Sequence, residues 1–205
     1  MIVSKEIENI VNKSKRGKLF FVSDFLQYGN YDAVRKTLQR LVSKNTLIRI
    51  SKGIYYYPKN DKILGILYPI AEDIAKAIAK RDKAKIIPTG AYAQHLLGLS
   101  TQIPMNVVYL TDGSARKIEI DNQTIVFKKA SPKNLYFESS LSSLIIQSLK
   151  SLKENNVNET VKQKISVIIQ QSGEEEKIKK DIKNAPIWIQ KIMLQILLKI
   201  SNELA

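Results

Sequence analysis

The chain contains no cysteine and only one histidine, His95. That excludes disulfides, thiolate metal sites and cysteine nucleophiles, and it suits a reducing compartment. Acidic residues are scarce. Nineteen Asp and Glu stand against 33 Lys and Arg, a formal net charge of +14 at pH 7. Such a surplus points to a polyanionic partner, nucleic acid before an anionic membrane surface. Long apolar runs are missing too. The most apolar segment, residues 187–200, is broken by Gln190, Lys191, Gln195 and Lys199, too short and too polar to span a bilayer. Glu6 and Glu8 fall where a signal peptide is purely apolar. The expected location is the cytoplasm, away from any membrane.

Catalytic equipment is equally thin. There is no phosphate-cradling glycine loop, no paired-histidine helix and no nucleophile elbow. His95, followed by Leu96 and Leu97, reads as a packed side chain. Glu119 and Asp121 have the spacing of a nuclease acid pair, but the lysine that should follow is absent, so they read as the wet face and turn of a hairpin. The expectation is a protein that is no enzyme and holds no cofactor and no metal.

What is present is concentrated near the N-terminus. Residues 1–60 hold twelve cations against four acids, a surplus of +8 in less than a third of the chain. Spacing predicts a helix over residues 4–12, capped by Ser4, with Ile7, Ile10 and Val11 on one stripe. After the basic loop Ser14-Lys15-Arg16-Gly17-Lys18 and the apolar run Leu19-Phe20-Phe21, a second helix is expected at Asp24, with Phe25 and Leu26 facing inward. Gly29 supplies a left-handed turn and Asn30 caps a third helix, residues 31–44. Its inner stripe is Val34, Leu38, Leu41 and Val42; Tyr31, Arg35, Lys36, Gln39, Arg40 and Ser43 lie opposite. Arginine pairs bidentately with guanine and glutamine with adenine, and the other groups suit phosphates. Two strands follow, residues 46–50 and 54–57, joined by Ser51-Lys52-Gly53, with Arg49 and Lys52 near the tip. One or two of Tyr55, Tyr56 and Tyr57 should pack and the rest face out. Helix, turn, basic helix and basic hairpin describe a winged helix-turn-helix that reads duplex DNA. The candidate DNA-binding residues are Lys18, Tyr31, Arg35, Lys36, Gln39, Arg40, Ser43, Arg49 and Lys52.

Asn60, Asp61 and Lys62 mark the expected junction between a DNA-binding domain, residues 1–60, and a second domain, residues 61–205. The second domain opens with a helix over 68–81, Ile70, Ile74, Ala77 and Ile78 forming its stripe. A short strand at 84–88 precedes a helix over 90–97, with Thr89 as its cap and Gly98 as its stop. Strands at 106–111, 116–120 and 124–129 read as a β-meander. Residues 61–135 are thus α+β, and 136–205 are helical: 137–150, 157–171, 174–183 and 186–202. The broad apolar face of the last helix belongs to the lobe's centre or to a partner surface. The expected class is α+β: a winged helix-turn-helix, then a mixed α/β region with a small antiparallel sheet, then a C-terminal helical lobe.

Two stretches carry a resemblance. Leu38-Gln39-Arg40-Leu41 with Gly53-Ile54-Tyr55-Tyr56-Tyr57-Pro58 is one, and the block IPTGAYAQHLLGLSTQIPMNVVYLTDGSARKI, residues 87–118, is the other. In these the chain resembles the AbiEi-type antitoxins of type IV toxin–antitoxin, abortive-infection systems of phage defence, over roughly residues 1–135. The resemblance implies a transcriptional autorepressor that binds operator repeats of its own promoter. It also implies an antitoxin that counteracts a cognate nucleotidyltransferase-like toxin through its C-terminal region, without a stable complex. One winged domain reads few base pairs, so two copies are expected to act together, as a dimer on DNA. Two alternatives stay open: an interaction module that neutralises its partner directly, and a generic winged-helix regulator.

Overall fold

A computed structural model of the chain describes residues 2–120 and 123–203. It is a mixed α+β structure that divides into two compact units. The first comprises Met1–Ile78 with Ile118–Asn122, and the second Ala79–Lys117 with Gln123–Ala205.

The first unit begins with α1, Ile2–Lys13. Ser4 therefore lies inside the helix and does not cap it. Ile7 and Val11 are fully buried, Ile10 partly. Next come β1, Leu19–Phe21, and a 3-10 turn, Val22–Phe25. The helix expected at Asp24 is only this single turn. Its Asp24 carboxylate accepts the Phe21 N–H at 2.9 Å, an exchange that satisfies the local backbone without further helix. Phe25 packs inward, but Leu26 is 47% exposed.

Asn30 does cap α2, Tyr31–Ser43: its side chain accepts the Ala33 N–H at 2.9 Å. Gly29 serves close packing and not a left-handed turn, since its φ is not among the positive ones. A Cβ there would lie 3.0 and 3.1 Å from the two methyls of Val3. Val34, Leu38 and Leu41 are buried, as the stripe requires. Each such side chain stabilises the unit by about 1.5–3 kcal/mol.

Strands β2, Ile48–Ser51, and β3, Ile54–Tyr56, close an antiparallel sheet in the order β1-β3-β2. Ser51 pairs with Ile54, so the turn is the two residues Lys52-Gly53, one shorter than expected; Gly53 takes φ +77°. Tyr55, Tyr56 and Tyr57 are all buried, at 2%, 3% and 7% exposure. None is left at the surface. Tyr55 and Tyr57 join the core under α1 and α2, and the Tyr56 hydroxyl donates to the Leu67 carbonyl at 2.5 Å.

That carbonyl belongs to a second hairpin, β4, Lys59–Asp61, with β5, Gly65–Leu67. The expected junction at residues 60–62 is thus ordered strand and turn. Helix α3, Ala71–Asp82, follows, and the division between units passes through it. Within the first unit its buried positions are Ala71, Ile74, Ala75 and Ile78; Ile70 precedes the helix and is 61% exposed.

In the second unit, β6, Ile86–Thr89, leads into α4, Gly90–Leu96. Strands β7, Asn106–Thr111, and β9, Gln123–Lys129, follow, while β8, Arg116–Ile120, straddles the division, its last three residues counting with the first unit. They do not form a meander. The order is β6-β7-β9-β8, with β6 antiparallel and β9 parallel to β7. Burial explains the choice. Val107 and Tyr109 of β7 pair with the equally buried Ile125 and Phe127 of β9, whereas β8 alternates half-buried with exposed side chains and suits an edge. The two smaller sheets, by contrast, are wholly antiparallel.

The remainder is helical. Its elements are α5, Ser140–Leu152, α6, Glu159–Ser172, α7, Glu175–Asp181, a 3-10 turn Ile182–Asn184, and α8, Ile187–Glu203. Ile145, Leu149, Ile165, Ile169, Ile178 and Met193 lie in its core. On α8, Ile189, Met193, Ile196 and Ile200 are buried, while Ile187, Leu194 and Leu198 stay exposed.

Candidate nucleic-acid interface

The outward side of α2 is set by the helical repeat. At about 100° per residue, the buried Val34, Leu38 and Leu41 place Gln39, Ser43 and Lys36 directly opposite. Tyr31 and Arg35 fall on one flank and Arg40 on the other. All but the half-buried Arg35 are exposed. Two contacts hold the arginines. Arg35 Nε lies 3.8 Å from Asp32 Oδ1, and Arg40 Nη2 donates to the buried Thr37 hydroxyl at 3.2 Å. Asp32, an acid in the first turn, interrupts the basic face.

The sheet adds Arg49 on the Tyr31–Arg35 flank. Arg49 stands across from Tyr55 in the register of β2 and β3. Burial lifts the Tyr55 hydroxyl above its usual pKa, Arg49 and Arg35 pull it down, and Tyr31 pushes it up. These four groups therefore share one electrostatic neighbourhood. Lys52 is exposed in the turn beyond.

Lys18 is not brought to this group. It meets Tyr57, whose N–H donates to the Lys18 carbonyl at 2.9 Å, five residues along the chain from Lys52. At ~3.3 Å per residue that is roughly 16 Å away. Its ammonium lies over the Phe20 ring, 4.9 Å from the centroid. Arg16, in the same loop, donates to the Pro58 carbonyl at 3.1 Å and covers Tyr57 at 4.8 Å. Arg16 and Lys18 thus pack against the sheet's far end.

The block of residues 87–118 is built from turns and contacts within its own unit. The Thr89 hydroxyl donates to Gln147 Oε1 at 3.0 Å and so does not cap α4. Thr111 is buried, and its hydroxyl accepts the Gly113 N–H at 3.0 Å. The Asp112 carboxylate accepts the Lys85 N–H at 2.7 Å. A Cβ on Gly113 would lie 2.8 Å from that of Ala84. Gly98 takes φ +71° after α4. His95 is half-buried, with its Nδ1 buried and without a hydrogen-bond partner. Glu119 is exposed on β8; Asp121 lies outside the described residues. Among the described residues, no group of three or more His, Cys, Asp or Glu is placed to hold a metal ion, and no helix is long and apolar enough to cross a membrane.

A family model described as a family of unknown function, DUF6088, matches residues 6–178. No curated protein matches the chain. Among solved structures, the crystal structure of the RV2827C protein from Mycobacterium tuberculosis is similar, with a TM-score of 0.48 and 10% identity over 97% of this chain and 76% of that one.

Proposed function

Because the chain belongs to the DUF6088 family, whose description assigns no activity, we propose a role from the geometry: the first unit is a winged helix-turn-helix that reads duplex DNA. The observation that carries this is the order α1, β1, 3-10 turn, α2, β2, β3 with strands arranged β1-β3-β2. That order sets the polar, basic face of α2 beside a hairpin bearing Arg49 and Lys52. A helix of α2's diameter fits the major groove, where Arg35, Gln39 and Arg40 meet base edges; Lys36, Ser43, Arg49 and Lys52 meet phosphates. Tyr31 stands at the edge of the same face.

The whole protein is then a cytoplasmic transcriptional autorepressor, and the resemblance of residues 87–118 to AbiEi-type antitoxins makes it also the antitoxin to a nucleotidyltransferase-like toxin. It performs no catalysis in this reading. Mobility-shift titration on the region upstream of its own gene, at two salt concentrations, tests the DNA half. Specific affinity at least 10³-fold above that for unrelated duplex is expected; equal affinity for both would end the reading.

A second reading rests on α8. Ile187, Leu194 and Leu198 are exposed at 72%, 45% and 63% and recur at helical spacing. They favour direct capture of the toxin by the C-terminal helices. Co-purification of the neighbouring gene product would support it, and clean separation on size exclusion would support the indirect route.

A further inference from the structure

The hairpin of β4 and β5 presents a rigid apolar strip. Ile63 and Leu64, at its tip, are 92% and 75% exposed; Ile66 and Tyr68 follow at 42% and 62%. Asp61 fixes the tip by accepting the N–H groups of Ile63 and Leu64 at 2.8 and 3.0 Å, and Gly65 takes φ +73°. The Tyr56–Leu67 hydrogen bond ties β5 to β3. A rigid surface loses little entropy on docking.

Position, area and charge choose the occupant. The strip leaves β3 at the end opposite the Lys52-Gly53 turn, so it does not compete with the proposed DNA face. Four such side chains offer on the order of 400 Å² of apolar area per copy, about half of the ~800 Å² per partner in a standard interface. Two copies carrying +14 each repel one another, and a DNA duplex neutralises that repulsion. A contact too small to hold a free dimer becomes effective when one duplex supplies a high local concentration. We propose that Ile63, Leu64, Ile66 and Tyr68 form a self-contact between two copies of this chain seated on one DNA duplex. The proposal rests on the DNA-binding reading above.

The test compares wild type with an Ile63→Ser/Leu64→Ser variant on duplexes of the upstream region carrying one or two sites. Wild type should be monomeric in sedimentation without DNA, and should fill the second site at least tenfold more tightly than the first. The variant should keep single-site affinity and lose that cooperativity. Undiminished cooperativity in the variant overturns the proposal, as does a matching loss at a single site, which would make the strip a DNA contact. Unchanged cooperativity with loss of a complex with the neighbouring gene product would assign the strip to that protein. If wild type binds no DNA, the functional reading fails, and the strip is judged separately. The chain has no native thiol, so Ile63→Cys and, as control, Gln171→Cys are treated with a short bis-maleimide at high protein concentration. Dimers trapped through position 63 alone support the self-contact; equal trapping at both positions, or none, rejects it.

Discussion

Arg49 on β2 lies directly across the strand pair from Tyr55 on β3, so the cation of the proposed wing stands beside a buried phenol. This pair joins the α2 face to the hairpin, because Arg35 and Tyr31 act on the same hydroxyl.

Tyr55 should give the first unit a distinctive alkaline limit. Its folded pKa is raised above 10.0, chiefly by burial. A raised value means that stability is present in full below the ordinary tyrosine pKa and is lost as pH rises through the folded one. Tyr55→Phe removes this linkage. The loss of unfolding free energy above about pH 10, followed by urea titration, should be shallower in the variant. Superimposable alkaline profiles would show that Tyr55 ionises as freely folded as unfolded.

Removal of the α2 arginines should change preference as well as strength. Arg35→Ala and Arg40→Ala are each expected to cost about 1–3 kcal/mol of discrimination at one base position, leaving binding to unrelated duplex less affected. Quantitative binding to a set of single-base operator variants measures this. Equal affinity of wild type and the double variant for the upstream promoter would remove α2 as the reader.

Lys52 and Lys18 should separate. Lys52→Ala ought to weaken binding to every duplex and to lower the slope of log affinity against log salt by about one. Lys18, roughly 16 Å along the sheet from Lys52 and held over Phe20, ought to leave the slope unchanged when replaced. A unit drop for Lys18→Ala would place the loop of residues 14–18 on the DNA.

These expectations draw on features with unequal visibility in the sequence. The inner stripe of α2, the Asn30 cap and the left-handed Gly53 were legible because each depends on residues within one turn of itself. Strands 106–111 and 116–120 were legible to the residue. Their order was not, because alternation says which face is wet and not which strand lies alongside; β9 enters between β7 and β8 through pairing with β7. The β4–β5 hairpin was hidden because Asn60-Asp61-Lys62 has the composition of a linker, and only its hydrogen bonds reveal a turn. In the candidate interface, periodicity placed the α2 face, but the loop cations Arg16 and Lys18 needed three-dimensional partners to be told apart from it.

Gly29 offers a packing test that turns on one neighbour. Gly29→Ala sets a methyl 3.0 Å from Val3 Cγ1, so α1 must shift or Val3 must turn. The overpacking should cost about 1–3 kcal/mol, less the ~0.4–1 kcal/mol by which alanine restricts the unfolded chain. In a Val3→Ala background the same change should be neutral or stabilising. Urea denaturation of the four proteins in this cycle gives the coupling, and no coupling would mean that Val3 is not what excludes a side chain at residue 29.

Asp181 tests the division of labour between the units. It is 4% exposed, and its two carboxylate oxygens accept the N–H groups of Glu138 and Ser139, at 2.9 and 3.0 Å, just ahead of α5. The Ser139 hydroxyl accepts those of Leu141 and Ser142. Asp181→Ala leaves two backbone donors without an acceptor and removes an anion from the helix start, an expected loss of about 2–5 kcal/mol. Asp181→Asn keeps one carbonyl oxygen and should lose less. Ser139→Ala, a cap deletion, should cost about 1 kcal/mol. Because α5 and α7 belong to the second unit, the proposed antitoxin role predicts that Asp181→Ala depresses protection from a co-expressed toxin while leaving affinity for a single operator site within about twofold. Equal loss of both activities would mean that the helices sustain DNA binding as well, and the assignment of repression to the first unit alone would have to be given up.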